Sequence, residues 1–519
     1  MPRTKTPSFI AEFPARTTTA DEAVLDKRLN AARNIYNASL GEALRRLELM
    51  RESREWRRAR TMPKGKPRSP ERRARAAAFK AAQERFGFSS GVIQKSAEAC
   101  RDACWIGNHI GSHDTQTTSL RAFRAVQQYA FGTRGRPRFK GYGRLRSIEG
   151  KSDAVIRYRT EPIPAVHYAG LVLPLMLDRK DKRVWQAAAL AAPTKYVRLV
   201  QRKIRGRDRW FCQLVQEGEA PQLREPAAGI VGLDIGPSTI AAVSSDDAIL
   251  EEFCPEIEEP WKEVRRIQRA MDRSRRATNP ENYNPNGTIK KGAKRWRRSE
   301  QYKRRQRRKA EIERKLACRR KRSHGQLANR ILGQGNTIKT EKLSYKSFQK
   351  NFGRSVKVRA PGMLMSMLRR KAESAGGKMI EINTRKTALS QFDHTTGECV
   401  KKPLSQRIHV FGDGQTEPVQ RDLYSAFLAS CCDTDVLDIR QVHATWPAAQ
   451  PLLRRAMART DQPASGRGFA LPHVREGVGA GARLKRDGRT GEAVEAYPDT
   501  DRARATENLS SGSLRTPWL

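Results

Sequence analysis

Between residues 230 and 253 three short apolar runs, IVGLDIG, TIAAVSS and AILEEF, follow one another with two residues between each pair. Runs this short, rich in β-branched residues and punctuated by Pro-Ser and Asp-Asp, predict three consecutive strands joined by tight turns. The period then changes. Two helical stretches fill 261–330 around the loop NPENYNPNG; a strand follows in TIKTEKLS, and then a helix in PGMLMSMLRRKAESAGG that stops at Gly376 and Gly377. A further strand in KMIEINTRKTA and a helix in VQRDLYSAFLASC complete the order β-β-β-α-β-α-β-α, with an insertion of loop character at about 390–418. One mixed sheet with helices on it is the expectation for 229–432.

Upstream, PSFIAEFPA (7–15) reads as a strand, and Leu25, Leu29, Ala32, Ile35, Tyr36, Leu40, Leu44 and Leu47 recur at helical spacing behind Asp21, the expected N-cap. Helical patterning resumes after TMPKGKPRSPERR and runs to about 130. FGTRGRPRFKGYGRLRS (131–147) is too rich in Gly and Arg for a helix and reads as a basic loop. The alternation in KYVRLVQRKIRGRDRWFCQLVQEGE (195–219) predicts a hairpin turning at RGRD. The expected organisation is α/β with a helical lobe. A β-rich basic part (1–15 and 131–228) surrounds a helical lobe (16–130), the sheet domain follows, and 433–519 forms a C-terminal extension, disordered from about 460.

Charge decides the partner. The chain of 519 residues carries 102 Lys and Arg against 55 Asp and Glu, a formal net charge of +47 and a pI near 10.7. Such an excess repels itself unless a polyanion neutralises it, which points to nucleic acid. No apolar run approaches the roughly 20 residues that span a bilayer, so no membrane partner is expected and the predicted location is cytoplasmic, at the nucleoid. The eight cysteines form no C-x-x-C pair and read as core residues, not as a disulfide framework or a cysteine zinc site. Candidate nucleic-acid contacts are Arg136, Arg138, Lys140 and Tyr142 in the basic loop; Arg202, Lys203, Arg205 and Trp210 in the hairpin; and Arg295, Trp296, Arg304, Arg305 and Arg308 in the Arg-rich stretch 294–322. Tyr142, Trp210 and Trp296 are the stacking candidates.

Against this charge, three acids stand out. Asp234 ends the first strand, Glu341 ends the fourth and Asp422 opens the last helix. Strand ends and helix N-termini of an α/β sheet project into a common cleft. Acids gathered there repel one another unless divalent cations neutralise them, and two Mg²⁺ (or Mn²⁺) ions held so can activate water and stabilise the leaving oxygen of a phosphodiester. Each acid alone also has a structural reading: a turn Asp, a surface Glu, and an Asp favoured by its helix dipole.

The order of elements is that of the ribonuclease H fold. GLDIGPSTIAAVSS, IKTEKLSY and QRDLYSAFLA resemble the three RuvC motifs of the transposon-encoded TnpB nucleases and of their descendants, the compact type V CRISPR effectors. RNIYNASL (33–40) and GRPRFKG (135–141) are similar to that family's early R-x-x-Y-N-x-x-L and G-x-P-x-F-K segments, so the likeness spans about residues 7–430. It implies that Asp234, Glu341 and Asp422 are the catalytic, metal-holding acids of an RNA-guided DNA endonuclease. Its implied partners are a guide RNA and a double-stranded DNA target with a short flanking motif, and it implies that 1–15 and 131–228 form a wedge-like nucleic-acid-binding domain and 16–130 a helical recognition lobe; monomer or dimer is left open. Family members carry a zinc ribbon between the second and third motifs. Here SQFDHTTG and RIHVFGDG put Asp393, Thr396, Val410 and Asp413 at the ligand positions, so no structural zinc is expected and the insertion is expected as a metal-free lid. His394, Cys399 and His409 are the residues left for any other site. The rival readings are a nuclease-inactive RNA-guided DNA-binding protein, an integrase-type transposase (whose acids run Asp, Asp, Glu), an actin-like ATPase (whose adenosine loop is missing) and a non-enzymatic packaging protein.

Overall fold

The computed structural model describes residues 6–150, 155–178, 180, 184–221, 226–257, 260–292, 294–403 and 406–461. The chain divides into two compact units between Pro221 and Gln222.

The first unit opens with β1 (Ser8–Pro14) and the 34-residue α1 (Thr19–Glu52). Thr18, not Asp21, is the N-cap of α1: the Thr18 hydroxyl accepts from Asp21 N, and the Asp21 carboxylate accepts from Thr18 N. The carboxylate serves the cap from the third helical position, as in a capping box. All eight apolar positions expected on α1 are buried. Four helices follow, α2 (Arg54–Thr61), α3 (Pro70–Arg85), α4 (Ser90–Asp102) and α5 (Ser112–Ala130). Then come β2 (Ser147–Glu149), the meander β3 (Ile156–Arg159), β4 (Ala165–Tyr168) and β5 (Leu171–Pro174), and the short α6 (Trp185–Ala191). The expected hairpin is β6 (Thr194–Ile204) and β7 (Arg207–Glu217). Its two-residue turn holds Arg205 and Gly206 at positive φ, which matches the twist of the strands it joins. The sheet order is β1-β7-β6-β2. Phe13, Leu40, Ile148, Val197 and Trp210 belong to one core cluster, so the helical lobe and the flanking strands are one unit rather than two domains.

The second unit carries the five-stranded sheet. β8 (Ile230–Ile235), β9 (Thr239–Val243) and β10 (Ala248–Glu252) form an antiparallel meander. The helical pair α7 (Trp261–Thr278) and α8 (Glu300–Leu332) leads to β11 (Thr337–Glu341), and α9 (Tyr345–Arg359) and α10 (Pro361–Ser374) lead to β12 (Lys378–Ile382). β11 runs parallel to both β8 and β12, giving the order β10-β9-β8-β11-β12. After a single turn, α11 (Thr384–Thr387), the insertion contains the two-residue ladder β13 (Ile408–His409) and β14 (Val419–Gln420). α12 (Arg421–Ser430), the small ladder β15 (Cys432–Asp433) and β16 (Val436–Leu437), and α13 (Ile439–Asp461) complete the unit.

Strand alternation gives this sheet two buried faces. Val231, Leu233, Ile240 and Ile338 pack on α8 and α10, while Ala241, Val243 and Ile382 pack with α12 and α13 on the other side. Val442, Trp446, Leu453 and Ala456 of α13 lie in that second core, so the stretch expected as an extension from 433 begins as part of the unit. The expectation of a disordered tail concerns residues outside those described. Among the described residues, no helix is long and apolar enough to cross a membrane.

Candidate functional site

The three acids meet on one side of the five-stranded sheet. In the parallel register Leu233 of β8 faces Thr340 of β11, so the next residues, Asp234 and Glu341, are neighbours. They point away from the core that holds Leu233, Ile235 and Ile338, towards α12. Gly232, two residues before Asp234, lets that helix come close: a Cβ at 232 would stand 2.0 Å from Ala426 O and 2.5 Å from Ser430 N. With α12 lying on the strand, its first turn brings in Asp422, half-shielded beside two guanidiniums. Arg407 Nη1 and Arg421 Nε each lie 3.9 Å from its carboxylate.

Charge in this corner is unbalanced towards acid. Burial, then the charges of Asp422 and Glu341, push the Asp234 carboxyl well above the usual carboxylate range, and Arg421 opposes the shift. Burial lifts Glu341 to about 7. An all-oxygen donor set of three carboxylates suits Mg²⁺ or Mn²⁺, and a divalent cation would offset the repulsion between these acids. Even so, among the described residues no three His, Cys, Asp or Glu side chains stand close enough together to enclose a metal ion.

Two positioning side chains lack an obvious sequence signal. Lys339, buried in β11 two residues before Glu341, donates from Nζ to Ser430 O at 3.0 Å. A cation therefore meets the carbonyl end of α12, while the acids lie towards its N–H end, both favourable for the helix dipole. Arg421 is held by its own N–H to Arg407 O (2.8 Å) and by Nη1 to Pro403 O (3.1 Å). The arginine before the motif's Asp was visible in the sequence, but its place in the acid cluster was not.

The insertion is tied together by hydrogen bonds and to α12 by ring packing. Asp393 Oδ1 accepts from Thr395 N (2.9 Å) and Oγ1 (2.8 Å), and Oδ2 accepts from Gly412 N (2.8 Å), so one carboxylate joins both turns of the insertion. His394, His409, Phe411, Tyr424 and Trp446 form a ring cluster with centroids 4.3–5.8 Å apart among the contacting pairs. The Tyr424 hydroxyl lies 2.8 Å from His394 Nδ1. The lid expectation is thus corrected: aromatic packing seats this segment in the unit's core. Val410 and Asp413 point outward, and Cys399 is exposed.

In the first unit, the two upstream motifs meet. Asn37 donates from Nδ2 to Lys140 O (2.9 Å) and accepts from Lys140 N (2.8 Å), and the Lys140 ammonium sits 5.6 Å from the Tyr36 ring. The basic loop is thereby clamped to α1 with Arg138 exposed, Tyr142 79% exposed and Arg136 paired with Glu48. On the hairpin Arg202 pairs with Glu12, Lys203 lies 3.7 Å from Asp208, and Arg205 is exposed at the turn. Trp210 is a correction: it is 1% exposed, because it shares a sheet face with Cys212 and Leu214, and no base can stack on it.

In the second unit, Asn279 accepts from Arg297 N and donates to Arg297 O, which fixes the segment before α8. Arg295 is exposed there, and Trp296 is half-buried between the Arg275 guanidinium and the edge of Tyr283. Arg305 donates to Ala270 O and Arg308 pairs with Glu263, so both tie α8 to α7, whereas Arg304 faces solvent.

Fold and site together define a strongly basic α/β protein with an acid cluster at the end of its central strand. No protein-family model matches the chain, and no curated protein does. Among solved structures it is similar to a cryo-EM structure of a Cas12f1–sgRNA–target DNA complex. There the identity is 11%, the match covers 81% of this chain and 98% of that one, and the TM-score is 0.38. A cryo-EM structure of a CRISPR-Cas12f ternary complex is similar at 12% identity, over 81% of this chain and 83% of that one, with a TM-score of 0.25. Likeness of this size does not say which side chains react, so the functional reading rests on the site.

Proposed function

We propose that the second unit is an RNase H-like nuclease domain of the RuvC kind, and that the chain is an RNA-guided DNA endonuclease of the compact type V effector or TnpB class, acting in the cytoplasm at the nucleoid. The observation that carries this is the meeting of Asp234, Glu341 and Asp422 at one corner of the sheet in an otherwise basic chain. These three would hold Mg²⁺ or Mn²⁺, which when bound lowers the pKa of a water and stabilises the leaving oxygen. Arg421 and Arg407 orient Asp422 and limit the local excess of negative charge. The exposed arginines of the first unit and of α8 offer sequence-independent grip on phosphates, leaving sequence to base pairing between guide RNA and target.

The test is to express the protein with its native flanking DNA, sequence the RNA that copurifies, and assay cleavage of a matching duplex. A discrete RNA with constant and variable parts is expected. Asp234→Ala should lower Mg²⁺-dependent cleavage by more than about 100-fold with target binding within about two-fold, since one acid contributes to metal placement and little to a long phosphate interface. A second reading, a nuclease-inactive RNA-guided DNA-binding protein, is favoured by the acids' failure to enclose a metal ion as they stand. Guided binding with no cleavage in either Mg²⁺ or Mn²⁺ would select it.

A further inference from the structure

The side of α7 that meets α8 and the segment before it is fixed by contacts. Arg305 Nη1 donates to Ala270 O (3.2 Å), the Arg308 guanidinium pairs with Glu263 (2.6 Å), and Ser274 Oγ lies 2.8 Å from Ser299 Oγ. Val264 and Ile267 are the buried residues of the helix. At about 100° per residue, positions 263, 264, 267, 270 and 274 take up one third of its circumference.

The opposite side is basic throughout. Lys262, Arg265, Arg266, Arg269, Arg273 and Arg276 are exposed and fall within an arc of about 100°, which holds no acid and no apolar residue. The two acids of α7 lie outside that arc and are already engaged: Glu263 with Arg308, and Asp272 with Arg275 (2.6 Å) and Arg276 (3.4 Å). Arg265, Arg266, Arg269 and Arg273 make no ion pair or hydrogen bond among the described residues. The first turns of α8 are arranged differently. There every basic residue of 300–314 except Arg304 has a carboxylate or carbonyl partner, as on a solvated helix laced with its own ion pairs.

Arg265, Arg269 and Arg273 follow one another at about 6 Å along the axis. Like charges at such steps oppose helix formation, so this row calls for an anion that the chain does not supply. Guanidinium forks match phosphate oxygens. A bilayer would need apolar side chains beside the cations, and Val264 and Ile267 are buried on the far side. We propose that this face of α7 carries the sugar-phosphate backbone of one nucleic-acid strand, its four free arginines on phosphates and none of them reading a base. The inference deepens the proposed function by naming a face on which a strand lies, and it rests on that reading only for the nucleic-acid partner.

The full chain, freed of copurified RNA, is titrated across a salt series with an RNA hairpin, an oligodeoxythymidine and a DNA duplex. In the variant with Arg265→Gln, Arg266→Gln, Arg269→Gln and Arg273→Gln, the slope of log affinity against log salt should be about 3 units shallower for the strand that lies there, at about 0.7–0.9 per phosphate contact. Loss of four charges from a net +47 without loss of contacts would change the slope by less than about one tenth. All four side chains are exposed and unpaired, so the fold is not at stake, and the corresponding Arg→Lys variant should keep the parent slope. A shallower slope on the hairpin alone assigns the face to RNA, and on the oligodeoxythymidine or the duplex alone to DNA. A full slope on all three probes would overturn the inference, as would loss confined to binding of phosphatidylserine vesicles or polyglutamate, or a Lys variant as shallow as the Gln variant. Guided cleavage with an unchanged slope would overturn this face and keep the proposed function; a shallower slope without any guided cleavage would do the reverse.

Discussion

His409 shows how one side chain records its surroundings. It is fully buried between Phe411 and Tyr424, with the Lys402 ammonium 2.7 Å from Nδ1. Burial first, and then Lys402, depress its imidazole to about 4. The unfolded chain takes up a proton near the ordinary value of 6.5 that the folded chain refuses, so this histidine favours the fold above 6.5 and the contribution is lost as the pH falls towards 4. At pH 5 the loss is about 2 kcal/mol. Urea unfolding of His409→Phe should fall less steeply between pH 7 and 5 than that of the parent; parallel curves would show that the histidine is not the cause. Asp234 carries the opposite lesson. Its carboxyl is held in a place that disfavours its charge, so Asp234→Asn, which ends cleavage in the proposed function, should raise the metal-free melting temperature at neutral pH. Thermal scans in a chelator would show it, and a lower temperature would count against the repulsion described.

Among the elements, α12 is the best test of close packing. With Gly232→Ala, a methyl group would meet the helix backbone 2.0 Å from Ala426 O, so strand and helix must part. A loss of about 3 kcal/mol or more is expected, read from the urea midpoint, together with loss of the proposed cleavage because Asp422 moves with its helix. An unchanged midpoint would mean that α12 does not rest on β8. Elements were legible in the sequence where a side-chain period met a buried face. The strands β8 to β12, the hairpin and α1 announced themselves in this way. α9 did not, because none of its residues is buried and no apolar stripe marks it. Trp210 is the converse case: its partners Leu199, Cys212 and Leu214 are buried on the same face, and the alternation that reveals the hairpin also places it inside. The three acids could be singled out singly; that β11 sets Glu341 beside Asp234 depends on a pairing between segments far apart in the chain.

At the scale of the whole molecule, long-range pairing also explains the domain boundaries. β1 joins β7 across some 200 residues of sequence, so strands that read as a separate domain close around the helices of the first unit. α13 does the same for the second, with Trp446 and Leu453 in its core. The net charge of +47 sets a further expectation. Under the proposed function, affinity for guide RNA or target DNA should fall by at least about 10³ between 50 and 200 mM salt, as for six or more phosphate contacts, and filter binding across that range would measure it; a flat response would deny the phosphate grip. The seating of α12 on Gly232 finally has a consequence in time. Asp422 follows Asp234 by about 190 residues, roughly 10–40 s of synthesis at 5–20 residues per second. A growing chain therefore displays its basic loop, hairpin and α8 before its third acid exists, and under the proposed function it would gather nucleic acid during translation while still unable to cut.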